Sequence, residues 1–254
     1  LTINILVGLA ISFLIMAFHD LTLLIETEDA GMDWMMKLNK GIIPPTEDKI
    51  PPFVLLDIDN KTYKSWEQPL FTPRDRLKKL IQAAVEGGAR LVVVDIDVSQ
   101  PTPVESSQLH PNDQILKDYL ENDTTRCKQK SCIPIIFVRT FDVNADNNPI
   151  PMPRTGFLEE VVQSTPQIHW ASARFYKARD QVIRRWMLWQ PACKNGKPTT
   201  VPSIELVAMA LIRGCRIPEM QAKLEPFSPQ ECAGKSESLQ KQPPDRFKFC
   251  QLDI

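Results

Sequence analysis

The chain has 254 residues, 43% of them hydrophobic, so it can bury a sizeable core in one large domain or two small ones. Its 30 Lys and Arg residues against 31 Asp and Glu give a formal net charge of −1, which supplies no broad field to attract nucleic acid. Nucleic-acid binding is therefore not expected. No glycine-rich phosphate-binding motif occurs, and the sequence indicates no cofactor.

The first 25 residues have the length and composition of a membrane-spanning helix. The stretch LTINILVGLAISFLIMAFHDLTLLI exceeds the roughly 20 residues that a bilayer requires, although His19 and Asp20 interrupt it. Acidic residues follow, and the next basic residue is Lys37, which favours a downstream side outside the cytoplasm. We predict a signal-anchor helix over residues 1–25 in the inner (cytoplasmic) membrane, with the following domain on the periplasmic or extracellular side. A cleaved signal peptide and a buried core helix are the alternatives.

The chain then passes through a proline-punctuated stretch into an alternation of strands and helices. Residues 26–52 are predicted to be a stalk and a loop that leads into the domain. FVLLDID at 53–59 and RLVVVDIDVS at 90–99 are short apolar runs, typical of strands covered on both faces. A helix over residues 72–88, with a proline at its start and two glycines at its end, separates them. The order predicts a βαβ unit with parallel strands over residues 53–98.

The α/β alternation continues along the chain, and a stretch with alternating aromatic and polar residues then predicts an antiparallel hairpin. The fold class is therefore α/β, a mixed sheet with a βαβ core and an antiparallel hairpin, preceded by one transmembrane helix. The extracytoplasmic domain is predicted to cover residues 53–254. Its later elements are a helix at 111–122, a strand at 132–141, the hairpin at 167–191 around KARDQ, a helix at 201–214 and a last strand at 246–254.

All six cysteines lie beyond the membrane segment, and an even number in an exported domain predicts disulfides. Many pairings are possible, and the sequence does not choose among them. A zinc site is a competing use, but the spacing in CKQKSC is wide and no histidine follows at a matching distance. Free buried thiols are a further alternative. The candidates are Cys127, Cys132, Cys193, Cys215, Cys232 and Cys250.

Two predicted strands each end in Asp-Ile-Asp. Because side chains alternate along a strand, Asp57 and Asp59 share one face, as do Asp95 and Asp97. On parallel neighbouring strands these acids would gather at the carboxyl edge of the sheet, where open α/β sheets bind ligands. Together with Arg74 at the helix start, they form a candidate site for a cation or a small cationic ligand. The alternative is that the aspartates accept backbone N–H bonds in turns and cap the next helix.

Catalysis is not indicated by any motif. There is no GxSxG elbow, and neither His110 nor His169 has a spacing typical of zinc ligands. We assign no catalytic or metal-binding residue and do not expect an enzyme. The aromatic residues around the predicted hairpin favour a core or an interface over a ligand cage. Arg184 and Arg185 fit a solvated hairpin, with an anion or a partner chain as the alternative contact.

The order of these segments resembles a known family, the second type of CHASE domain (cyclases/histidine-kinases associated sensory extracellular). The resemblance covers nearly the whole chain and rests on FVLLDIDNKTYKSW, FTPRDRLKKLIQAAVEGGARLVVVDIDVSQP, NDQILKDYL, IPIIFV, DQVIRRWML and VPSIELVAMAL. It implies a bacterial extracytoplasmic input domain after a first membrane helix, with further membrane helices and a cytoplasmic output domain such as a nucleotide cyclase or protein kinase. The chain departs from the family in its six cysteines, in an insertion at 215–244, and in Leu70-Phe71 where a Trp-Pro pair often stands.

We therefore expect a sensory input domain of a bacterial transmembrane signalling protein that binds a small ligand or a partner and transmits through membrane helices. A homodimer is expected by analogy, since such signalling usually works through paired chains. The alternative is a structural or protein-interaction subunit of a cell-envelope complex, which the insertion at 215–244 favours slightly. A membrane-anchored, metal-dependent hydrolase using the four aspartates is a third interpretation.

Overall fold

In a computed structural model, the chain forms two compact units, Leu1–Leu55 and Leu56–Ile254. The structure describes residues 5–9, 12–13, 22–39, 52–67, 69–104, 108–122, 133–142, 151–175, 182–183, 186–225, 228, 232, 248–249 and 252–253.

The first unit contains helix α1, Thr22–Asn39, which crosses the predicted boundary between membrane segment and stalk. Residues 5–9 and 12–13 of the predicted membrane segment are also helical, and their large apolar side chains are exposed. Most of the remaining predicted membrane segment lies outside the described residues. Within the part of the chain that is described, no helix combines the length and apolar character needed to cross a membrane.

The second unit carries the remaining elements. Its helices are α2 Asn60–Ser65, α3 Arg74–Glu86, α4 Pro111–Asn122, α5 Glu159–Ser164, α6 Ile204–Ile212 and α7 Ile217–Leu224. Its strands are β1 Val92–Val94, β2 Ile135–Arg139, β3 Phe141–Asp142, β4 Met152–Pro153, β5 Ile168–Ser172, β6 Trp189–Lys194, β7 Lys197–Pro202, β8 Lys248–Phe249 and β9 Leu252–Asp253.

A three-stranded parallel sheet, in the order β1–β2–β5, forms the centre of this unit. Ile135 of β2 lies opposite Val92 of β1 and Ile168 of β5. β2 is the middle strand, and all of its side chains are buried. The remaining strands form two-stranded antiparallel pairs, namely β3 with β4, β6 with β7, and β8 with β9. The predicted α/β class, with a parallel core and antiparallel hairpins, is confirmed.

Two hydrophobic layers cover the parallel sheet, one on each face. Helices α3, α4 and α5 pack on the face to which Ile135 and Phe137 point. Helices α6 and α7 pack on the opposite face, which receives Ile136. Because neighbouring side chains alternate between two cores, the first four residues of β2 are all apolar.

The helices predicted from local signals form where they were expected. α3 begins after Pro73 and ends at Gly87, and Gly88 adopts the left-handed conformation (φ 82°) that glycine tolerates. α4 has the predicted bounds, Pro111–Asn122. Ser203 is the N-cap of α6, and its hydroxyl oxygen accepts a hydrogen bond from the backbone N–H of Leu206 (3.2 Å). α7 was not predicted.

The strand predicted at 53–59 is wrong. Residues 52–59 have no regular secondary structure, and Phe53 and Val54 are 82% and 78% exposed. An apolar run forms a strand only where a partner strand receives it, and among the described strands β1 pairs with β2 alone. The predicted βαβ unit over 53–98 is therefore wrong, and β1, α4 and β2 form the first such unit instead.

The hairpin predicted at 167–191 is also wrong. Its first arm, β5, belongs to the parallel sheet, and its second arm includes the start of β6, which pairs with β7. The turn of that hairpin is Asn195-Gly196, and both residues have positive φ (52° and 71°). Such a two-residue turn matches the twist of an antiparallel pair. The KARDQ segment and Arg184-Arg185 lie outside the described residues.

A disulfide ties the β6–β7 hairpin to the cysteine-rich insertion. It joins Cys193 of β6, which is buried, to Cys232, 39 residues later. The prediction of disulfides is confirmed for this pair. Cys215 is also disulfide-bonded. The other three candidates, Cys127, Cys132 and Cys250, lie outside the described residues.

Candidate functional site at the carboxyl edge of the sheet

The turn after β1 is organised by the carboxylate of Asp97. Its Oδ1 accepts hydrogen bonds from the backbone N–H (2.8 Å) and the hydroxyl (2.6 Å) of Ser99, an arrangement typical of Asx turns. The hydroxyl of Thr140, directly after β2, donates to the same oxygen at 3.3 Å and to Ser99 Oγ at 3.0 Å. Asp97 therefore connects the carboxyl ends of two neighbouring parallel strands.

Arg154, which follows β4, brings a positive charge to this turn. Its Nη1 lies 3.9 Å from Oδ2 of Asp97, and its Nε lies 2.5 Å from Oδ1 of Asp142. Burial alone would raise the pKa of Asp97, but hydrogen bonds from Ser99 and Thr140 and the charge of Arg154 outweigh it and lower that pKa. Asp97 is therefore ionised at neutral pH.

A second group of charges lies around Glu159 at the start of α5. Its carboxylate accepts a hydrogen bond from Arg139 Nη1 (2.8 Å) at the end of β2, and another from Lys194 Nζ at the end of β6. Burial would raise the pKa of Glu159, but these two hydrogen-bonded cations lower it. The guanidinium of Arg139 also stacks on the ring of Trp170, 4.1 Å from its centroid.

Arg154 connects the two groups. Its guanidinium faces the aspartates, while its backbone carbonyl accepts a hydrogen bond from Arg139 Nη1 at 2.6 Å. The combined set, called the edge cluster below, has three acidic and three basic side chains and is formally neutral. Its members are Asp97, Ser99, Arg139, Thr140, Asp142, Arg154, Glu159 and Lys194.

A close backbone contact fixes one side of the cluster. A Cβ atom on Gly156 would lie 2.9 Å from the carbonyl oxygen of Ser99 and 3.0 Å from its Cα. Since both are backbone atoms, only glycine can occupy position 156 without a shift of the main chain. The segment that carries Arg154 is therefore held directly against the Asp97 turn.

Two of the five predicted ligand-binding residues come together in the structure. Arg74 is 1% exposed, and its Nη2 donates to the backbone carbonyls of Asp97 (3.3 Å) and Gln100 (3.1 Å). Its Nε lies 3.6 Å from Oδ1 of Asp113, a fully buried carboxylate that also binds the backbone N–H and hydroxyl of Thr102. Burial lowers the pKa of Arg74, and the two aspartates oppose that shift. Arg74 thus supports the turn from the interior.

The other three predicted residues do not join this cluster. Asp59 caps α2, accepting a hydrogen bond from the backbone N–H of Thr62 (2.7 Å) that lowers its pKa, as the capping alternative proposed. Asp57 and Asp95 are exposed. Within the described part of the chain, no three His, Cys, Asp or Glu side chains lie close enough to hold a metal ion. The four aspartates do not gather because residues 53–59 do not form a strand beside β1.

Most of the edge cluster was missed by sequence reasoning, because its residues come from separate elements. One signal was available in the strand IIFVR, where Arg139 directly follows four apolar residues. A charged side chain in a buried strand needs a partner. That partner, Glu159, lies 20 residues later and has no sequence feature that marks it.

The burial of His169 in β5 leads us to expect that the stability of the fold depends on pH. Its Nε2 is buried and has no hydrogen-bond partner among the described residues, and burial lowers its pKa from the ordinary value of about 6.5. The unfolded chain therefore binds a proton at pH values where the folded ring stays neutral. The free energy of unfolding therefore keeps its full histidine contribution above about pH 6.5. Below that pH it decreases, by up to about 1.4 kcal/mol per pH unit.

Thermal unfolding measured from neutral pH down to about pH 5 tests this expectation, since the histidine contribution lies in that window. We expect the decrease to be clearly smaller in His169→Gln than in the parent chain. His110→Asn is the matched control, because asparagine can still accept the N–H bond that Asn112 donates to His110 Nδ1. Parallel curves for the parent chain and His169→Gln would show that His169 is not responsible.

The second unit is an α/β domain with a parallel sheet between two layers of helices. The acidic and basic side chains of the edge cluster pair with one another at the carboxyl ends of its strands. The family model of the CHASE2 domain matches residues 6–246, nearly the whole chain. The chain therefore belongs to the CHASE2 family, a family of extracellular sensory domains, and the resemblance noted from its motifs is confirmed. No curated protein matches the chain, and no solved structure does.

Proposed function

We propose that the chain is the extracytoplasmic sensory input domain of a bacterial transmembrane signalling protein. Membership of the CHASE2 family is the observation that carries this proposal. Attachment to the inner membrane through residues 1–25 is part of it, supported by the apolar sequence and by the exposed apolar side chains of helical residues 5–9. The working form is a homodimer, by analogy with signalling proteins of this kind.

The ligand of this sensor is a small polar molecule that binds at the edge cluster. The carboxyl ends of parallel strands are the usual ligand position in open α/β sheets. Asp97, Asp142 and Arg154 have side chains 45%, 50% and 34% exposed, so a molecule from solvent can reach both signs of charge. The two exposed carboxylates suit a ligand with a positively charged group.

Binding at the cluster would transmit a signal as a shift between arrangements of the elements that the cluster joins. Asp97 follows β1, Arg139 ends β2, Glu159 begins α5, and Lys194 ends β6. A ligand changes the population of two arrangements only if it binds them with different affinity. A cationic group that competes with Arg154 for the carboxylates of Asp97 and Asp142 would meet this condition, because Arg154 makes contacts to both halves of the cluster.

Thermal unfolding of the full chain with Ca²⁺, Mg²⁺, Zn²⁺ and a panel of small metabolites tests the site. A ligand at 100 times its Kd is expected to stabilise the fold by about 2.7 kcal/mol. Asp97→Asn should abolish this stabilisation, since the amide keeps an oxygen for the Ser99 N–H but loses the charge.

Asp95→Asn is the matched control, because Asp95 lies two residues away, is exposed, and its side chain makes no hydrogen bond or ion pair with the described residues. A ligand effect lost equally in both variants would contradict the site. No stabilisation by any compound, with both variants folded, would favour a protein partner and the envelope-complex alternative.

A further inference from the structure

The outer side of β1, at one edge of the parallel sheet, has no partner strand among the described residues. On its inner side β1 pairs with β2, where the backbone N–H of Val92 donates to the carbonyl of Pro134 at 3.0 Å. Because backbone groups alternate in direction along a strand, the N–H and C=O of Val93 point away from β2. The side chain of Val93 is also 39% exposed, whereas Val92 and Val94 are buried in the core. β1 therefore has an open edge with an exposed apolar side chain at its middle residue.

Another part of the same chain has the sequence of a strand but is not paired. Residues 53–57, FVLLD, have no regular secondary structure, and the side chains of the four apolar residues are between 51% and 82% exposed. A run of consecutive apolar residues is typical of a strand that is covered on both faces. An exposed apolar segment and an uncovered sheet edge each promote pairing with another chain. The described part of the chain thus contains both a strand without a sheet, called the unpaired segment below, and a sheet edge without a strand.

We propose that the unpaired segment of one copy adds as an antiparallel strand to the open edge of β1 in a second copy, and that the exchange is reciprocal. Strand addition of this kind satisfies backbone groups on both partners. Within the described part of one copy, β1 pairs with β2 alone, so a second copy is the partner that supplies a matching segment and a matching edge together. A two-fold dimer uses the same patch twice, so both segments and both edges are covered. The inference rests on the homodimer of the proposed function and assigns its interface.

The positions of the acidic residues favour the antiparallel direction. With Leu55 opposite Val93, a parallel strand would place Asp57 directly opposite Asp95, and like charges in that position destabilise a sheet. The antiparallel direction places Asp57 opposite Leu91 instead. Leu55 and Val93 then exchange two backbone hydrogen bonds, and their side chains lie next to each other on one face. The exposed side chain of Val93 is thereby covered.

Cysteine cross-linking of the full chain tests the proposal. Residues directly opposite in such a pair have Cα atoms about 5.5 Å apart, which is within the range of a disulfide. Two differently tagged copies, one with Leu55→Cys and the other with Val93→Cys, should therefore form a covalent dimer after co-expression and mild oxidation. Val54→Cys is the matched control for Leu55→Cys, because its side chain lies on the opposite face and should cross-link several-fold less. Equal yields from the two positions, or no covalent dimer above that of the parent chain, would overturn the proposal.

Both cysteines in a single chain separate exchange between copies from pairing within one copy. A covalent dimer would support exchange, whereas a disulfide within one chain would overturn it. Light scattering of the parent chain adds the state of the proposed homodimer. A dimer without the cross-link between positions 55 and 93 would reject the exchange and leave the homodimer intact. A monomer would reject both.

Amide hydrogen exchange measures the pairing of the segment independently of any cross-link. We expect slow exchange of residues 53–57 in the parent chain and fast exchange in Val93→Pro, with the amides of β2 still protected. Proline removes only the N–H that points away from β2 and leaves the bond between Val92 and Pro134 in place. Val93→Thr keeps that N–H and should keep the slow exchange. Fast exchange in the parent chain, or slow exchange that persists in Val93→Pro, would overturn the proposal.

Discussion

Asp113→Ala is expected to lower the free energy of unfolding by about 3–5 kcal/mol, because it leaves the buried guanidinium of Arg74 without its carboxylate. Arg74 is 1% exposed and Asp113 is fully buried. Arginine cannot release its proton to escape this situation. The backbone N–H of Thr102 also loses its acceptor. Chemical unfolding at neutral pH measures the effect.

A double-mutant cycle distinguishes this ion pair from a general loss of packing. Arg74→Met should cost much less in the Asp113→Ala background than in the parent chain, since methionine removes the charge that the first change left unpaired. Asp118→Ala is the control on the exposed side of α4 and should change stability by no more than about 0.5 kcal/mol. Additive losses from the two buried changes would contradict a specific coupling between Arg74 and Asp113.

Loss of the Cys193–Cys232 disulfide is the second large effect that we expect. The bond closes a loop with a sequence separation of 39 residues, and the chain-entropy relation gives about 4 kcal/mol for a loop of this length. Cys193→Ser with Cys232→Ser should lower the free energy of unfolding by roughly that amount. Denaturant unfolding under non-reducing conditions measures the loss.

A control variant separates the loss of the crosslink from the loss of an ion pair in the edge cluster. Cys193 directly precedes Lys194, which binds Glu159, so release of β6 would weaken that ion pair. Lys194→Met alone should therefore destabilise the chain much less than the double serine variant, because it leaves the loop closed. A double serine variant as stable as the parent chain would show that the crosslink does not stabilise the fold.

The elements that sequence reasoning predicted well are those with local signals. α3 has its apolar face at helical spacing, a proline before its start and glycines after its end. α6 has Ser203 as its N-cap. Each of these signals acts within one or two turns of the chain. The bounds of such helices therefore need no knowledge of the rest of the fold.

The wrong predictions share a different cause, which is the choice of partner strand. Residues 53–59 have a strand-like composition, but composition does not say which strand they pair with. β5 alternates aromatic and polar residues as a hairpin arm would, yet it pairs in parallel with β2. The Asn195-Gly196 turn was a local signal that could have located the true hairpin.

The candidate site was predicted in part for the same reason. Asp97 and Arg74 were identified because carboxylates at the end of a predicted strand and a basic residue at the start of a predicted helix are visible in the sequence. Arg154, Glu159 and Lys194 reach the site from distant elements, so only the fold brings them together. Long-range pairing is the information that a single sequence does not display.

The burial of β2 has a mechanical consequence. Every side chain of this strand is buried, its first three residues alternate between the two cores, and strands lie on both of its sides. Close-packed interiors have low compressibility and transmit strain instead of absorbing it. We therefore expect β2 to transmit a displacement along its length, with Arg139, a member of the edge cluster, at one end. A displacement of Arg139 would then reach the helices packed on both faces of the strand.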